Sequence, residues 1–285
     1  MAISNFIPEI WTNEMVMLKE TALVGIPLCN TSFKEKSGFN KGDILHILLQ
    51  ADVTEDAYPA SANITYQALS DAESQLTVDI DRYFAFEVPD LSKIQSNIEF
   101  VGPAVRRGQY QMNKTYDGQV LAQYANATLD SYETGTTAWQ LGTAGADTPT
   151  LFAAVANQLD GVDAPQEGRF IVGPSNFRQA INLWMGGKAT DLGDVTTKNG
   201  FVGTILGFDV HISNNCSVVS TTTHGLAGVK QDNMALATQI DGVTAETLRL
   251  EGRISDGVRA RLCGGVKTYR PGTLVDVNFN TTLIA

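Results

Sequence analysis

Hydrophobic residues recur with a helical period near the middle of the chain. Between positions 90 and 130 the apolar side chains are three, four or seven residues apart, which predicts one stripe of an amphipathic helix. The stripe consists of Leu91, Ile94, Ile98, Val101, Val105, Met112, Tyr116 and Val120. Asp90 is a suitable N-cap residue. Gly102-Pro103 predicts a bend or restart near position 102, because an internal proline removes a backbone hydrogen bond.

A different pattern precedes this helix. Ile44–Leu49 is an almost continuous apolar run, typical of a buried strand. Turn residues follow at Ala51–Ala62, and a strand-like pattern returns at Ile64–Tyr66. Leu76, Val78 and Ile80 then alternate with polar residues and lead into Tyr83–Val88. The pattern predicts a long two-stranded hairpin. Such a hairpin is marginal alone in water and needs a surface to lie on.

The second half of the chain mixes short helices and strands. Helices are predicted at 149–159, with Thr148 as N-cap, at Ser175–Trp184 and at Gln231–Ala237. Strands are predicted at Arg169–Val172, Phe208–Ser213, His224–Val229 and over much of 246–285, where Leu274–Phe279 alternates clearly. The order lacks a regular βαβ rhythm, so an α+β fold is expected rather than a doubly wound sheet.

Charge changes this picture at one place. The 285 residues include 31 acids against 20 Lys and Arg, for a net charge of −11, which disfavours a dedicated nucleic-acid reader. Between Lys41 and Arg82 there is no basic residue. The eight acids of that interval are Asp43, Asp52, Glu55, Asp56, Asp71, Glu73, Asp79 and Asp81. They predict either a solvated acidic face or a projection that docks on a basic partner surface.

Motifs for catalysis or for cofactor binding are absent. The sequence has no Walker, dinucleotide-binding or nucleophile-elbow pattern, and its three histidines are isolated. Cys29, Cys216 and Cys263 are far apart without metal-ligand spacing, which favours buried reduced thiols. No apolar run is long enough for a membrane span, and the first residues do not resemble a signal peptide. We therefore expect no catalytic residue, cofactor, metal or membrane contact, and synthesis in the cytoplasm.

The order of these segments resembles the major capsid proteins of tailed bacteriophages, which share the Hong Kong 97-type capsid fold. The matching segments are Ile7–Trp11, Gly42-Asp43, Ile64–Gln67, Leu76–Asp79, Phe84–Val88, the predicted helix with Arg106-Arg107, Ala164–Val172 followed by Pro174, and Gly200–Val210 with Ser213-Asn214. None of them is catalytic. The Gly102-Pro103 step departs from a straight spine helix, and the hairpin lacks the lysine with which some members form cross-links.

The resemblance implies both an architecture and a function. We expect an N-terminal arm (1–40), an extended loop that forms a β-hairpin (41–85), a peripheral domain with a long spine helix (86–145 and 258–285) and an axial domain (146–257). The implied function is a virion capsid subunit, assembled in the host cytoplasm into pentamers and hexamers of an icosahedral shell. Implied partners are further copies, scaffolding, portal and decoration proteins, and packaged double-stranded DNA held without sequence-specific contacts.

An arm and a loop without cores of their own are expected to be buried on neighbouring copies. The residues expected at this interface are Trp11, Asp52, Glu55, Asp56, Asp71, Glu73, Arg106 and Arg107, followed by Arg253, Arg259 and Arg261. For each arginine, an ion pair within its own chain is an equally good interpretation. Two other functions stay open at this point, namely an encapsulin-like compartment that packages an enzyme and a soluble hydrolase with a scattered acidic site.

Overall fold

The computed structural model describes residues 20–32, 41–49, 53–58, 66–67, 72–90, 101–130, 139, 148–186, 201–238 and 246–280. Within these ranges the α-helices are α1 (Val101–Leu121), α2 (Thr148–Asp160) and α3 (Ser175–Gly186). The strands are β1 (Ile44–Leu49), β2 (Ala72–Thr77), β3 (Ile80–Pro89), β4 (Leu129–Asp130), β5 (Arg169–Gly173), β6 (Phe201–Ile205), β7 (Phe208–Ile212), β8 (Ser217–Val219), β9 (Thr222–Val229), β10 (Met234–Thr238), β11 (Glu246–Arg249), β12 (Ser255–Thr268) and β13 (Val275–Asn280).

The described strands form three sheets. β1 and β2 make an antiparallel hairpin. β12 pairs along one edge with β3 and along the other with β10 and β11, all antiparallel. The third sheet has the order β4-β13-β9-β5-β7-β6, with β8 added to β9. Its β4–β13 and β5–β7 pairs are parallel and the others antiparallel, so the expected α+β class is confirmed.

Helix α1 lies at the centre of a core that the two larger sheets share. Met112, Tyr116 and Val120 are buried, as the predicted stripe requires. They pack against Phe170 and Leu226 of the seven-stranded sheet and against side chains of the four-stranded sheet. One hydrophobic cluster therefore joins the two sheets. Residues 91–100 lie outside the described residues, so the bend near position 102 stays a prediction.

A second core lies on the other face of the seven-stranded sheet. Helices α2 and α3 cover it, and Phe152, Phe177 and Phe208 pack with ring centroids about 6 Å apart or slightly closer. The alternation predicted for Leu274–Phe279 is confirmed, since the inward positions of β13 are buried. The expected cap at Thr148 does not form. Its hydroxyl is buried in the first turn of α2 without a hydrogen bond.

Gln231–Ala237 was predicted to be a short helix, and this prediction was wrong. Gln231 has a φ of 61°, which a right-handed helix excludes, and the chain continues as strand β10. Side chains of β10 are buried on both faces, with Met234 and Leu236 in the shared core and Ala235 and Ala237 under the hairpin. A strand buried on both faces loses the alternation that would distinguish it from a helix.

Ile44–Leu49 was predicted to be a buried strand, and it is largely exposed. Ile44 keeps 51% and Leu48 78% of its surface in solvent, while Ile47 is buried. The reason is positional. The hairpin has one face on the body of the molecule, and among the described residues nothing covers its other face.

The described part of the arm lies on its own chain. Val24, Leu28 and Cys29 are buried in the shared core beside α1, and Asn30 bonds to the backbone of β10. The boundaries of the four predicted domains stay a prediction. The seven-stranded sheet takes β4 and β13 from the expected peripheral ranges and its other strands from the expected axial range.

Candidate assembly surfaces

The hairpin is seated on the four-stranded sheet through a small apolar cluster. Ile47, Leu76 and Val78 pack against Ala235, Ala237 and Cys263. Its base is closed by backbone hydrogen bonds of 2.9 Å that Gly42 and Val78 donate to the carbonyls of Val78 and Asp43. The hairpin therefore lies at a fixed position on the four-stranded sheet.

Two consecutive glycines of β12 allow the hairpin and β10 to approach closely. A Cβ atom on Gly265 would lie 2.3 Å from the carbonyl oxygen of Thr77, and one on Gly264 would lie 2.4 Å from that of Ala237. Any side chain at either position would push the neighbouring strand away. The role of Gly264-Gly265 is therefore one of packing.

The outer half of the hairpin is exposed. Val53, Tyr58 and Tyr66 keep 72%, 82% and 93% of their surface in solvent. The two sides of the loop are nevertheless tied together, because the Gln67 side chain donates to the Thr54 carbonyl at 3.1 Å and accepts from the Thr54 amide at 3.3 Å. The described residues on the two sides of the loop thus hold apolar side chains in water.

The structure separates the acids predicted for the interface. Glu55 and Asp56 are exposed beside Val53 and Tyr58 at the outer part of the loop. Glu73 lies on β2, where its carboxylate is 3.0 Å from Nδ1 of His46. Hydrogen bonds from Gln75 and His46 lower the pKa of Glu73. Trp11, Asp52 and Asp71 lie outside the described residues, and their roles stay predictions.

Four of the five arginines form ion pairs within the chain. The pairs are Arg107–Glu20 at 2.6 Å, Arg253–Glu87 at 2.8 Å, Arg259–Glu246 at 3.2 Å and Arg261–Asp81 at 2.8 Å. For these four arginines, the structure of the single chain shows the ion pair within the chain that the sequence left open as an alternative. Arg106 is exposed on α1 and forms no ion pair with any described residue.

A buried carboxylate links the arm to α1. Asp117 has no exposed surface, and it accepts hydrogen bonds from the Gly25 amide at 2.6 Å and from Asn215 Nδ2 at 2.7 Å. Nearer the start of the helix, the Tyr110 hydroxyl donates to the Thr21 carbonyl at 3.0 Å. Sequence reasoning missed these contacts. The signal in the sequence was Asp117 itself, an acid that lies next to positions 116 and 120 of the apolar helix stripe.

A shallow groove lies on β3, β11 and β12. Its volume is about 380 Å³, and its lining residues include Ala85, Leu248, Leu250 and Arg259. Ile254 and Arg253, in the turn before β12, are exposed. Apolar surface beside a guanidinium is a combination that suits a segment with apolar and acidic side chains.

Several titratable groups in the described interior have shifted pKa values. Burial, with a smaller effect of the Asp117 charge, raises the pKa of the Cys29 and Cys216 thiols to about 12, so they stay protonated at neutral pH. His224 lies 3.0 Å from Asp276 and stacks on Tyr124 at 4.1 Å. Burial raises the pKa of Asp276 to about 6, against the opposing effect of His224.

The described ranges contain no group of three or more side chains able to hold a metal ion. All three cysteines are free and buried, as expected. No helix in the described ranges has both the length and the apolar character that a membrane crossing requires.

Solved structures similar to this one include chains from bacteriophage capsids and heads. A chain from Mycobacterium phage Che8 is 23% identical, with a TM-score of 0.74 over 99% of this chain and 100% of that one. The capsid of cyanophage P-SCSP1u matches at 14% identity and a TM-score of 0.70, over 97% and 94%. The head of Helicobacter pylori bacteriophage KHP40 matches at 12% and 0.66, over 98% and 97%.

No protein-family model matches the chain, and no curated protein matches it. The structural matches cover nearly the whole chain in both directions. The chain therefore has the Hong Kong 97-type capsid fold that the resemblance implied.

Proposed function

We propose that the chain is the major capsid protein of a tailed bacteriophage, a subunit that self-assembles into an icosahedral shell around double-stranded DNA. One observation carries the proposal. The hairpin holds Val53, Tyr58 and Tyr66 in water, where apolar surface is unfavourable unless a partner covers it. The fold shared with phage capsid structures supports a second copy of the chain as that partner.

The proposed assembly relies on repetition. Pentamers and hexamers place the same modest contact many times around closed symmetry, so no single strong site is needed. Scaffolding, portal and decoration proteins are the further partners of this proposal, and the virion is its location after assembly in the host cytoplasm. The net charge of −11 suits a container that holds DNA without sequence-specific contacts.

We propose further that the acidic loop docks on basic groups of the adjacent copy. Glu55 and Asp56 are exposed on the hairpin and form no ion pair with a described residue, and Arg106 is exposed on α1. Complementary charges steer encounter and set register. Arg106 is the leading receiver among the arginines because no described residue neutralises it.

The groove on β3, β11 and β12 is the second surface on which we propose that the acidic loop docks. It combines Leu248 and Leu250 with Arg259, and the loop offers Tyr58 beside Asp56. Arg259 is already paired with Glu246 at 3.2 Å, so docking here exchanges one ion pair for another.

Size-exclusion chromatography followed by electron microscopy of the void volume tests the shell. We expect closed particles, and a small oligomer in their place would overturn the proposal. Nucleic acid rather than protein in particles from infected cells is the expected cargo.

Charge reversal tests the docking. We expect Arg106→Glu to lower particle yield and Glu55→Lys with Asp56→Lys to restore it in part. Lys114→Glu, about two turns further along α1, is the matched control. Equal yields from Arg106→Glu, Arg259→Glu and the control would show that neither surface receives the loop.

A further inference from the structure

The contact between Glu20 and Arg107 occupies one of the two adjacent arginines on α1. Arg107 Nη1 lies 2.6 Å from Glu20 Oε1. The guanidinium carbon lies 5.6 Å from the centre of the Tyr110 ring, and the same tyrosine holds the Thr21 carbonyl. The arm is thus fastened at two consecutive residues beside the arginine pair.

This ion pair removes the attraction of Arg107 for other acids. A guanidinium already paired with a carboxylate has little net charge to offer. The pair is nevertheless accessible, because 49% of the Arg107 side chain and 25% of the Glu20 side chain are exposed. A carboxylate from outside the molecule can therefore reach Arg107 once Glu20 leaves.

We propose that Glu20 is a built-in competitor of the acidic loop, masking Arg107 until the hairpin of a second copy takes its place. The inference rests on the proposed function. The mask is a solvated ion pair, so its exchange for an equivalent pair with Glu55 or Asp56 carries little penalty. Buried contacts at Val24 and Gly25 keep the rest of the arm in place during the exchange.

Glu20→Gln tests the competition, because it removes the charge and keeps the shape. We expect the protein concentration at which half of the chains form particles to fall about two- to fivefold, the factor that a surface ion pair represents. The melting temperature of the unassembled chain is expected to fall slightly. Easier assembly combined with a lower melting temperature is the result that a competing contact predicts, because Glu20 stabilises the single chain and opposes docking.

Asp232→Asn is the matched control. It breaks another exposed pair of 2.6 Å, with Arg270, and we expect an unchanged threshold. In an Arg107→Gln background, Glu20→Gln is expected to have no further effect. A threshold that falls equally in that background would overturn the inference, because the effect would then not pass through Arg107.

The two proposals fail in different ways. If the wild-type chain forms particles and Glu20→Gln leaves the threshold unchanged or raises it, the competition is wrong and the shell stands. If neither protein forms particles under any solution condition or expression host, the proposed function and the competition are both overturned.

Discussion

The amide of Gly25 donates a 2.6 Å hydrogen bond to the buried carboxylate of Asp117, a residue 92 positions further along the chain. Asn215 binds the other oxygen of the same carboxylate at 2.7 Å. One side chain on α1 thus fixes the arm and the segment after β7 at once. These bonds set the position from which residues 20–24 run along the helix.

Asp117→Ala should therefore destabilise the chain. The Gly25 amide and the Asn215 side chain would lose their acceptor in a buried site, which costs about 2–3 kcal/mol of unfolding free energy. Chemical denaturation of the unassembled protein measures the change. Glu167→Ala, on an exposed turn, should change it by less than about 0.5 kcal/mol. Equal effects from the two variants would contradict the assigned role of Asp117.

Gly265→Ala should unseat the hairpin. The new methyl group would lie 2.3 Å from the Thr77 carbonyl oxygen and 3.0 Å from Leu76 Cδ2. Overpacking of this kind costs about 1–3 kcal/mol. Hydrogen exchange should show faster opening of the β1–β2 backbone bonds. Gly272→Ala meets no atom within 4 Å and serves as the control, where unchanged exchange is expected.

Serine at Val53, Tyr58 and Tyr66 should abolish assembly without unfolding the chain. These side chains are 72–93% exposed, so their removal should shift the melting temperature of the single chain by no more than about 2 °C. Light scattering should show no particles. Val162→Ser, at an exposed turn after α2, should assemble normally. Particles from the triple variant would argue against hairpin docking.

Asp276 should give the stability of the chain a distinctive pH dependence. Burial raises the pKa of its carboxyl to about 6 from 3.8, so between these values the folded chain binds more protons than the unfolded chain. The contribution of Asp276 to the free energy of unfolding is greatest below pH 4 and is lost as the pH rises through 6. The loss is on the order of 1–2 kcal/mol, since the carboxyl is partly solvated.

Asp276→Asn isolates this effect. The difference in melting temperature between wild type and variant should move in favour of the variant as the pH rises from 4 to 6.5, then level off. A difference that stays constant across this window would mean that the carboxyl titrates alike in both states. Thermal melts at half-unit pH intervals provide the measurement.

Local patterns predicted those parts of the fold that depend on neighbours in sequence. The stripe ending in Met112, Tyr116 and Val120 and the alternation of β13 are both properties of short windows, and the structure confirms them. Strand β10 (Met234–Thr238) was not recognised from a short window, because its burial on both faces depends on contacts with β12 and with the hairpin.

The sequence predicts the charge of the candidate surfaces but not which of their charged residues form ion pairs within the chain. The absence of basic residues between Lys41 and Arg82 marks the acidic hairpin directly. Whether an arginine is neutralised depends on partners far away in sequence, such as Glu20 for Arg107 and Asp81 for Arg261. Only the three-dimensional arrangement separates Arg106 from the other four.

The hydrophobic cluster around α1 has a mechanical consequence. Because Phe170, Leu226, Leu236 and Leu262 share one interior with Met112, the two larger sheets cannot rotate about a hinge without opening that interior to water. In the proposed shell, each subunit body would therefore move as one rigid unit, and changes in curvature would fall on the contacts between subunits.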